Sequence, residues 1–165
     1  MPTSLRLDRT DLRILDLLQR QGRIPNARVA SEVGLSESAC FQRVKRLEQS
    51  GVITGYQALI DARLLGPSIT VVVGVELESG KPADYRKFET LVARIHEIVD
   101  CSLVTGQYDY VLKVHARDLE TYTQIMEGIV REHGRVNQYY SHVVMRHIKQ
   151  QPMPASRLSL RSEEA

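Results

Sequence analysis

The 165-residue sequence predicts an α+β fold, in which a helical amino-terminal third precedes a unit of alternating strands and helices. Two observations lead to this prediction. Before residue 50, apolar residues recur at helical spacing in three short segments that are bounded by capping residues. From Ile69 onward, β-branched runs alternate with helical apolar stripes. We therefore expect one domain at 1–65, a second at 66–150 and a loose tail at 151–165.

The first two helices are delimited by polar caps and by glycines. Asp8 is a plausible N-cap, and the first helix ends near Gly22. Its apolar residues recur at three-residue spacing: Leu12, Leu15 and Leu18. Asn26 can cap a second helix, and Gly34 is placed where a left-handed C-cap favours glycine. Two short helices joined around a glycine predict a helix-turn-helix.

The third helix is predicted at 37–50, with Ser36 as its N-cap. Cys40, Val44 and Leu47 recur at helical spacing and form its buried side. The opposite side carries hydroxyl and amide groups and then cations, namely Ser38, Gln42, Lys45, Arg46 and Gln49. This pattern suits a helix in the DNA major groove, where polar tips meet base edges and cations meet phosphates. The alternative is the solvated face of an ordinary three-helix bundle.

The second unit follows an extended segment that begins at Val52 and a linker at 61–67. Its predicted elements are a strand at 69–77, a helix containing 88–95, a strand at 101–105, a strand at 110–116, a helix after Asp118 and a strand at 139–148. This order predicts a ferredoxin-like βαββαβ fold, with an antiparallel sheet and both helices on one face. The uncovered face keeps valines and leucines, so we expect a second copy to cover it in an obligate dimer.

Composition and motif content exclude several classes of protein. With 42% hydrophobic and 25% charged residues, the chain is globular, and it contains neither a membrane-spanning segment nor a visible secretory signal. We expect a cytoplasmic location. Two distant cysteines and five scattered histidines predict no metal site, and no cofactor or catalytic motif is visible. Residues 1–50 carry nine basic and six acidic side chains, a mild positive balance that suits contact with phosphate.

Two parts of the sequence together resemble the Lrp/AsnC family, the leucine-responsive and asparagine-responsive "feast/famine" transcription factors. The segment LDRTDLRILDLLQRQGRIPNARVASEVGLSESACFQRVKRLEQSGVITGYQALID resembles the family's amino-terminal domain. TGQYDYVLKV and VVMRHIKQ resemble parts of its ligand-binding domain. The resemblance covers about 5–150. It implies a winged helix-turn-helix joined to a ferredoxin-like regulatory domain, dimers that often form octamers, and control of amino-acid metabolism genes by an amino-acid effector.

The resemblance also assigns residues to the DNA-binding surface. It places the recognition helix at 36–49, beginning with Ser36. Ser38 and Gln42 are candidates for base edges. The candidates for phosphate are Arg28, Arg43, Lys45 and Arg46. Because Arg43 lies nearer the buried side of the helix, a structural ion pair is the alternative for that residue.

For the effector, the family's G-x-x-D turn corresponds to Gly106, Gln107, Tyr108 and Asp109. Asp109 could pair with the ammonium group of an amino acid, and turn N–H groups could bind its carboxylate. Alternatively, the four residues form only a hairpin turn.

The last strand supplies the other wall of the family's site, and Ser141 matches the hydroxyl residue often found there. The neighbouring His142 and the Tyr139-Tyr140 pair depart from the family pattern. If His142 faces the site, a polar or aromatic effector is favoured over leucine. Two alternatives to a regulated transcription factor stay open. They are a siroheme-decarboxylase-like enzyme on the same scaffold and an architectural DNA-binding protein without an effector.

Overall fold

The computed structural model describes residues 6–61, 64–79 and 81–158, and these form two compact units. The first unit comprises Met1–Ile60 together with Lys149–Ala165, and the second comprises Asp61–Ile148. The carboxyl-terminal segment therefore belongs with the amino-terminal helices, although the two are far apart in sequence. In the described ranges, no helix has the length and apolar character needed to cross a membrane.

Three helices form most of the first unit: α1 (Arg9–Arg20), α2 (Asn26–Val33) and α3 (Glu37–Gln49). Asp8 caps α1, since its side chain accepts a hydrogen bond from the Asp11 amide at 2.8 Å. The Asp11 side chain in turn accepts a hydrogen bond from the Asp8 amide at 3.1 Å, which completes a capping box. Gly34 ends α2 with φ of 73°, as expected for a left-handed cap.

The core of the first unit lies where the three helices meet. Its buried members are Ile14, Leu15, Val29, Ala30, Val33, Cys40 and Leu47. Val44 is half-buried rather than fully enclosed. Asn26 does not cap α2, whose N-cap is Pro25; its side-chain amide instead donates to the Glu37 carbonyl at 2.8 Å and ties α2 to α3. The predicted extended segment after Gly51 contains no paired strand within residues 52–61.

The carboxyl-terminal segment was expected to be loose, and for residues 153–158 this expectation is wrong. A short helix, α6 (Ala155–Leu158), lies on α1. The Ser156 hydroxyl and amide donate to the Asp16 carboxylate at 2.6 and 3.2 Å, and the Ala155 amide donates to the Gln19 side chain at 3.0 Å. Polar groups on α1 therefore bind this segment where it begins a helical turn after Pro154. The expected tail from 159 onward lies outside the described residues.

The second unit is a four-stranded antiparallel sheet covered by two helices. Its strands are β1 (Ile69–Leu77), β2 (Ile98–Leu103), β3 (Tyr110–Ala116) and β4 (Val136–Val143), in the spatial order β2-β3-β1-β4. Its helices are α4 (Pro82–Val92) and α5 (Leu119–His133). The βαββαβ prediction is confirmed.

One face of this sheet, the helix face, forms a continuous core with α4 and α5. Alternate residues of β1 and β3 are buried there: Val71, Val73, Val75, Leu77, Tyr110, Leu112 and Val114. They pack against Phe88 and Leu91 of α4 and against Met126 and Ile129 of α5. The opposite face, which we call the open face, carries the intervening residues and has no helix over it within the described ranges.

The bounds of two strands, β2 and β4, differ from the sequence prediction. β4 ends at Val143 rather than Ile148, because its neighbour β1 begins at Ile69 and offers no further partner. The last backbone contact joins the Val144 amide to the Thr70 carbonyl at 2.8 Å. β2 begins at Ile98, three residues before the predicted start, and the pairing shifts register between Ile98 and Asp100.

Candidate functional site

The outer side of α3 presents three of the predicted DNA-binding side chains to solvent. Ser38, Gln42 and Lys45 are all exposed, and Arg28 on α2 is exposed as well. Within the described part of the chain, none of these four side chains makes a hydrogen bond or an ion pair. They are therefore available for a ligand outside the chain.

The two arginines of α3 are arranged differently, because their guanidinium groups contact carboxylates of α1. Arg43 Nη1 lies 2.6 Å from Asp8 Oδ2 and 2.8 Å from Asp11 Oδ1. Arg46 Nη2 lies 2.5 Å from Asp11 Oδ2. The Asp11 side chain is 0% exposed, so both arginines compensate a carboxylate that has been removed from water.

This arrangement revises the phosphate role predicted for Arg43 and Arg46. The Asp11 amide and Arg43 hold the pKa of Asp8 below its usual range, and the hydrogen bonds that Arg43 donates to Asp8 and Asp11 raise the pKa of Arg43. The two arginines thus anchor α3 against α1. The three-residue spacing of Asp8 and Asp11 is a capping signal that can be recognised in the sequence. That the two arginines bind these carboxylates is seen only in the folded unit.

Ser36 is also used within the unit. Its hydroxyl accepts a hydrogen bond from the Ala39 amide at 3.2 Å and caps the amino end of α3. Sequence reasoning missed Phe41, whose side chain is 54% exposed on α3 and does not belong to the core of the first unit as far as the structure describes it.

In the second unit, the turn formed by Gly106–Asp109 connects β2 to β3. Asp109 is half-buried and accepts a hydrogen bond from the Leu77 amide at 2.8 Å and one from the Tyr85 hydroxyl at 2.9 Å. The bond to Asp109 raises the pKa of Tyr85. Asp109 therefore fixes the turn to the end of β1 and to α4. Gly106, with φ of 119°, and Gln107 are exposed at the tip of the turn.

Tyr108 turns toward the open face of the sheet. Its ring lies flat on Gly74 of β1, so closely that a Cβ atom at residue 74 would meet three ring carbons at 2.7 Å. The ring centroid of Tyr108 is 5.4 Å from that of Tyr140 on β4. Glycine at position 74 therefore makes room for an aromatic pair beside the turn.

The predicted residues of β4 separate onto opposite faces of the sheet. Ser141 pairs with Val73, faces the helices and is hydrogen-bonded to the Tyr122 hydroxyl of α5. His142 pairs with Val72 and lies on the open face, as Tyr140 does. The six predicted effector residues therefore do not form one cluster. Tyr108 and His142 share the open face, whereas Asp109 and Ser141 are bonded to residues of the helix side.

The described residues contain no group of three or more histidine, cysteine, aspartate or glutamate side chains placed to hold a metal ion. Cys40 is buried, Cys101 is exposed, and both are free thiols. Although the residue as a whole is exposed, partial desolvation of its sulfur atom and the negative charges of Asp100 and Glu89 raise the pKa of Cys101 to about 11.

Comparison with known proteins agrees with this arrangement of units. A family model described as the Lrp/AsnC ligand-binding domain matches residues 70–154, and one described as a winged helix-turn-helix DNA-binding domain matches residues 7–54. The chain is 41% identical over 145 residues to the leucine-responsive regulatory protein of Escherichia coli K12, covering 87% of this chain and 88% of that protein. The protein of the same name from Haemophilus influenzae is 40% identical over 144 residues, 87% of each chain.

Solved structures show the same similarity. A transcriptional regulator from Neisseria meningitidis in complex with L-Met superimposes with a TM-score of 0.86 at 28% identity, covering 93% of this chain and 99% of that one. An AsnC-family transcriptional regulator from Agrobacterium tumefaciens gives 0.85 at 27% identity, covering 92% and 99%. These matches favour neither the decarboxylase nor the architectural alternative. The chain belongs to the Lrp/AsnC family of DNA-binding transcriptional regulators.

Proposed function

We propose that this protein reads duplex DNA with the outer side of α3 and responds to a small amino acid bound by its second unit, thereby regulating genes of amino-acid metabolism. The observation that carries this proposal is that the polar side chains of α3 fall into two groups, one bound within the unit and one facing outward. Two of its cations are neutralised against α1, whereas Ser38, Gln42 and Lys45 are directed away from the unit with no partner in the described residues. Their presentation is consistent with contact to an external polar surface.

On DNA, the hydroxyl of Ser38 and the amide of Gln42 would contact base edges in the major groove. Lys45 and Arg28 would contact phosphates, which contribute affinity without sequence information. Two copies of the chain would present two such helices. A roughly palindromic site with half-sites one or more helical turns apart is therefore expected.

The DNA contact can be tested by Lys45→Ala. We expect weaker binding to all duplexes. In a plot of log Kd against the logarithm of the salt concentration, the slope should fall by about one, because one phosphate contact is lost. Arg86→Ala is the matched control, since Arg86 is exposed on α4 and its loss also removes one positive charge. Equal weakening by both variants would indicate a nonspecific charge effect and would contradict the proposed role of α3.

For the effector, we propose that the exposed tip of the Gly106–Asp109 turn binds the polar groups of an amino acid, beside Tyr108 and His142 on the open face. The complex of the Neisseria regulator with L-Met supports an amino acid as the class of ligand. In this proposal Asp109 acts by positioning the turn, because its carboxylate already accepts two hydrogen bonds within the unit. Ser141 likewise holds β4 in position, through its hydrogen bond to the Tyr122 hydroxyl of α5.

We further propose that the open face is covered by a second copy, which gives a homodimer that assembles further to an octamer in the cytoplasm. Apolar and aromatic side chains on that face, including Val72, Val111 and Tyr140, support the assignment. An amino acid bound close to this face would change assembly or the pose of the subunits. It would thereby change how many α3 helices contact DNA in register.

A thermal-shift screen with the twenty amino acids tests the effector. A ligand at 100 times its Kd stabilises the folded state by about 2.7 kcal/mol, a readily measured rise in Tm. We expect His142→Ala to abolish or alter the response, and His96→Ala, an exposed histidine outside the open face, to leave it unchanged. If no amino acid raises the Tm, the architectural alternative is favoured instead. If His142→Ala keeps the same selectivity, His142 does not contact the effector.

A further inference from the structure

The exposed aromatic ring on α3 has no role in the first unit as described. Phe41 follows the fully buried Cys40, yet its own side chain is 54% exposed. It is absent from the residues that pack on the core of this unit, and within the described ranges it takes part in no ring contact. Sequence neighbours on a helix lie about 100° apart, so Phe41 stands on the flank between the buried and outer sides.

Two of the polar side chains proposed to contact DNA lie within one helical turn of this ring. Lys45 is four residues after Phe41, and Ser38 is three residues before it, so both are its neighbours on the helix surface. Gln42 is adjacent in sequence and points outward from the same turn. A helix that enters the groove with these groups would carry the phenyl ring into the groove with them.

In the major groove the apolar group available to such a ring is the 5-methyl group of thymine, which distinguishes an A·T pair from the other pairs. Polar base edges and phosphates offer a phenyl ring no hydrogen bond. We propose that Phe41 is a specificity-determining residue that contacts a thymine methyl group in each half-site. This inference rests on the proposed use of α3 to read DNA, and it adds an apolar contact to polar ones.

The test uses the full-length protein and duplexes selected by it from a randomised pool. At each selected thymine, deoxyuridine is substituted, because this base lacks only the 5-methyl group. At one thymine per half-site we expect the wild-type Kd to rise about fourfold, the equivalent of one methyl group left in water. Kd would be measured by fluorescence anisotropy at a single salt concentration.

Two variants connect that thymine to Phe41. Phe41→Ala is expected to bind the thymine and deoxyuridine duplexes equally, whereas Lys45→Ala should weaken both and keep the fourfold ratio. A Phe41→Ala protein that keeps the ratio would overturn the inference, as would a wild-type protein that ignores the methyl group at every position. The second outcome needs no variant and so holds even if Phe41→Ala folds poorly. If the protein selected no sequence from the pool, the proposal that α3 binds DNA sequence-specifically would itself be contradicted.

Discussion

Replacing Gly74 by alanine would test how tightly Tyr108 is held against the open face. The new Cβ atom would meet Cγ, Cδ2 and Cε2 of the ring at 2.7 Å. Carbon atoms in favourable contact are about 3.5–4.0 Å apart, so the ring must retreat by about 1 Å. Because Cγ is the root of the ring, rotation of the ring about its own axis cannot relieve the contact. The side chain has to leave its position above β1.

The cost follows from the size of this displacement. Forcing one extra carbon into a packed site costs about 1–3 kcal/mol, and alanine recovers about 0.5–1 kcal/mol because it loses less backbone entropy than glycine in a strand. A net loss of about 1–2 kcal/mol is expected. For a unit of this size, each kcal/mol lowers Tm by about 4–8 °C.

Chemical denaturation of four proteins would measure this effect: wild type, Gly74→Ala, Tyr108→Ala and the double variant. We expect Gly74→Ala to be harmless or stabilising once Tyr108 has been replaced, so the coupling free energy equals the full steric cost of about 1–3 kcal/mol. Gly128→Ala is the matched control, since a Cβ there meets nothing within 4 Å and should stabilise α5. If Gly74→Ala is as stable as wild type with Tyr108 present, the described packing of the ring is wrong.

Three further predictions concern the contacts within each unit. Ser156→Ala should cost about 1 kcal/mol and speed amide hydrogen exchange in 153–158, because α6 loses its hydroxyl bond to α1. Arg46→Ala should lower the unfolding free energy by about 1–2 kcal/mol in urea titrations, since buried Asp11 loses a charged partner, whereas Lys45→Ala should leave stability unchanged. Hydrogen bonds, chiefly from Thr121, lower the pKa of Asp118 from 3.8 to about 2. The stability that the Asp118 carboxylate contributes is present above pH 4 and is lost as the pH falls toward 2. Asp118→Ala should therefore reduce the fall in Tm between pH 4 and pH 2, measured by thermal melts at a series of pH values.

Local signals in the sequence predicted the three amino-terminal helices and the elements of the second unit, but not α6. The apolar period, the Asp8 and Ser36 caps and the left-handed Gly34 define the three helices, and each depends on residues only a few positions apart. The alternation of valines along β1 likewise predicted a strand with one deeply buried face. Strand ends were predicted less well. β4 stops where β1 supplies no further partner, and that limit depends on pairing between distant segments.

The site was harder to predict, because charge and residue type do not show where a side chain is bound. Arg43, Arg46 and Lys45 are all cations on one helix, and only the position of Asp11 in the folded unit distinguishes the first two from the third. Ser141 and His142 are adjacent in sequence, so their assignment to one site ignored the alternation of faces along a strand, which was readable in advance. The contact of Tyr108 with Gly74 joins residues 34 positions apart and left no local signal.

The binding of α6 to α1 has a consequence for the order in which the molecule is made. Residues of the first unit are separated by the whole of the second, so the second is, in effect, an insertion into the first. During synthesis the three amino-terminal helices leave the ribosome long before the segment that bears Ser156. They must exist for that interval without it, and a fragment that stops after α3 would have Asp16 and Gln19 exposed to water. The unit that is translated first is therefore the one that is completed last.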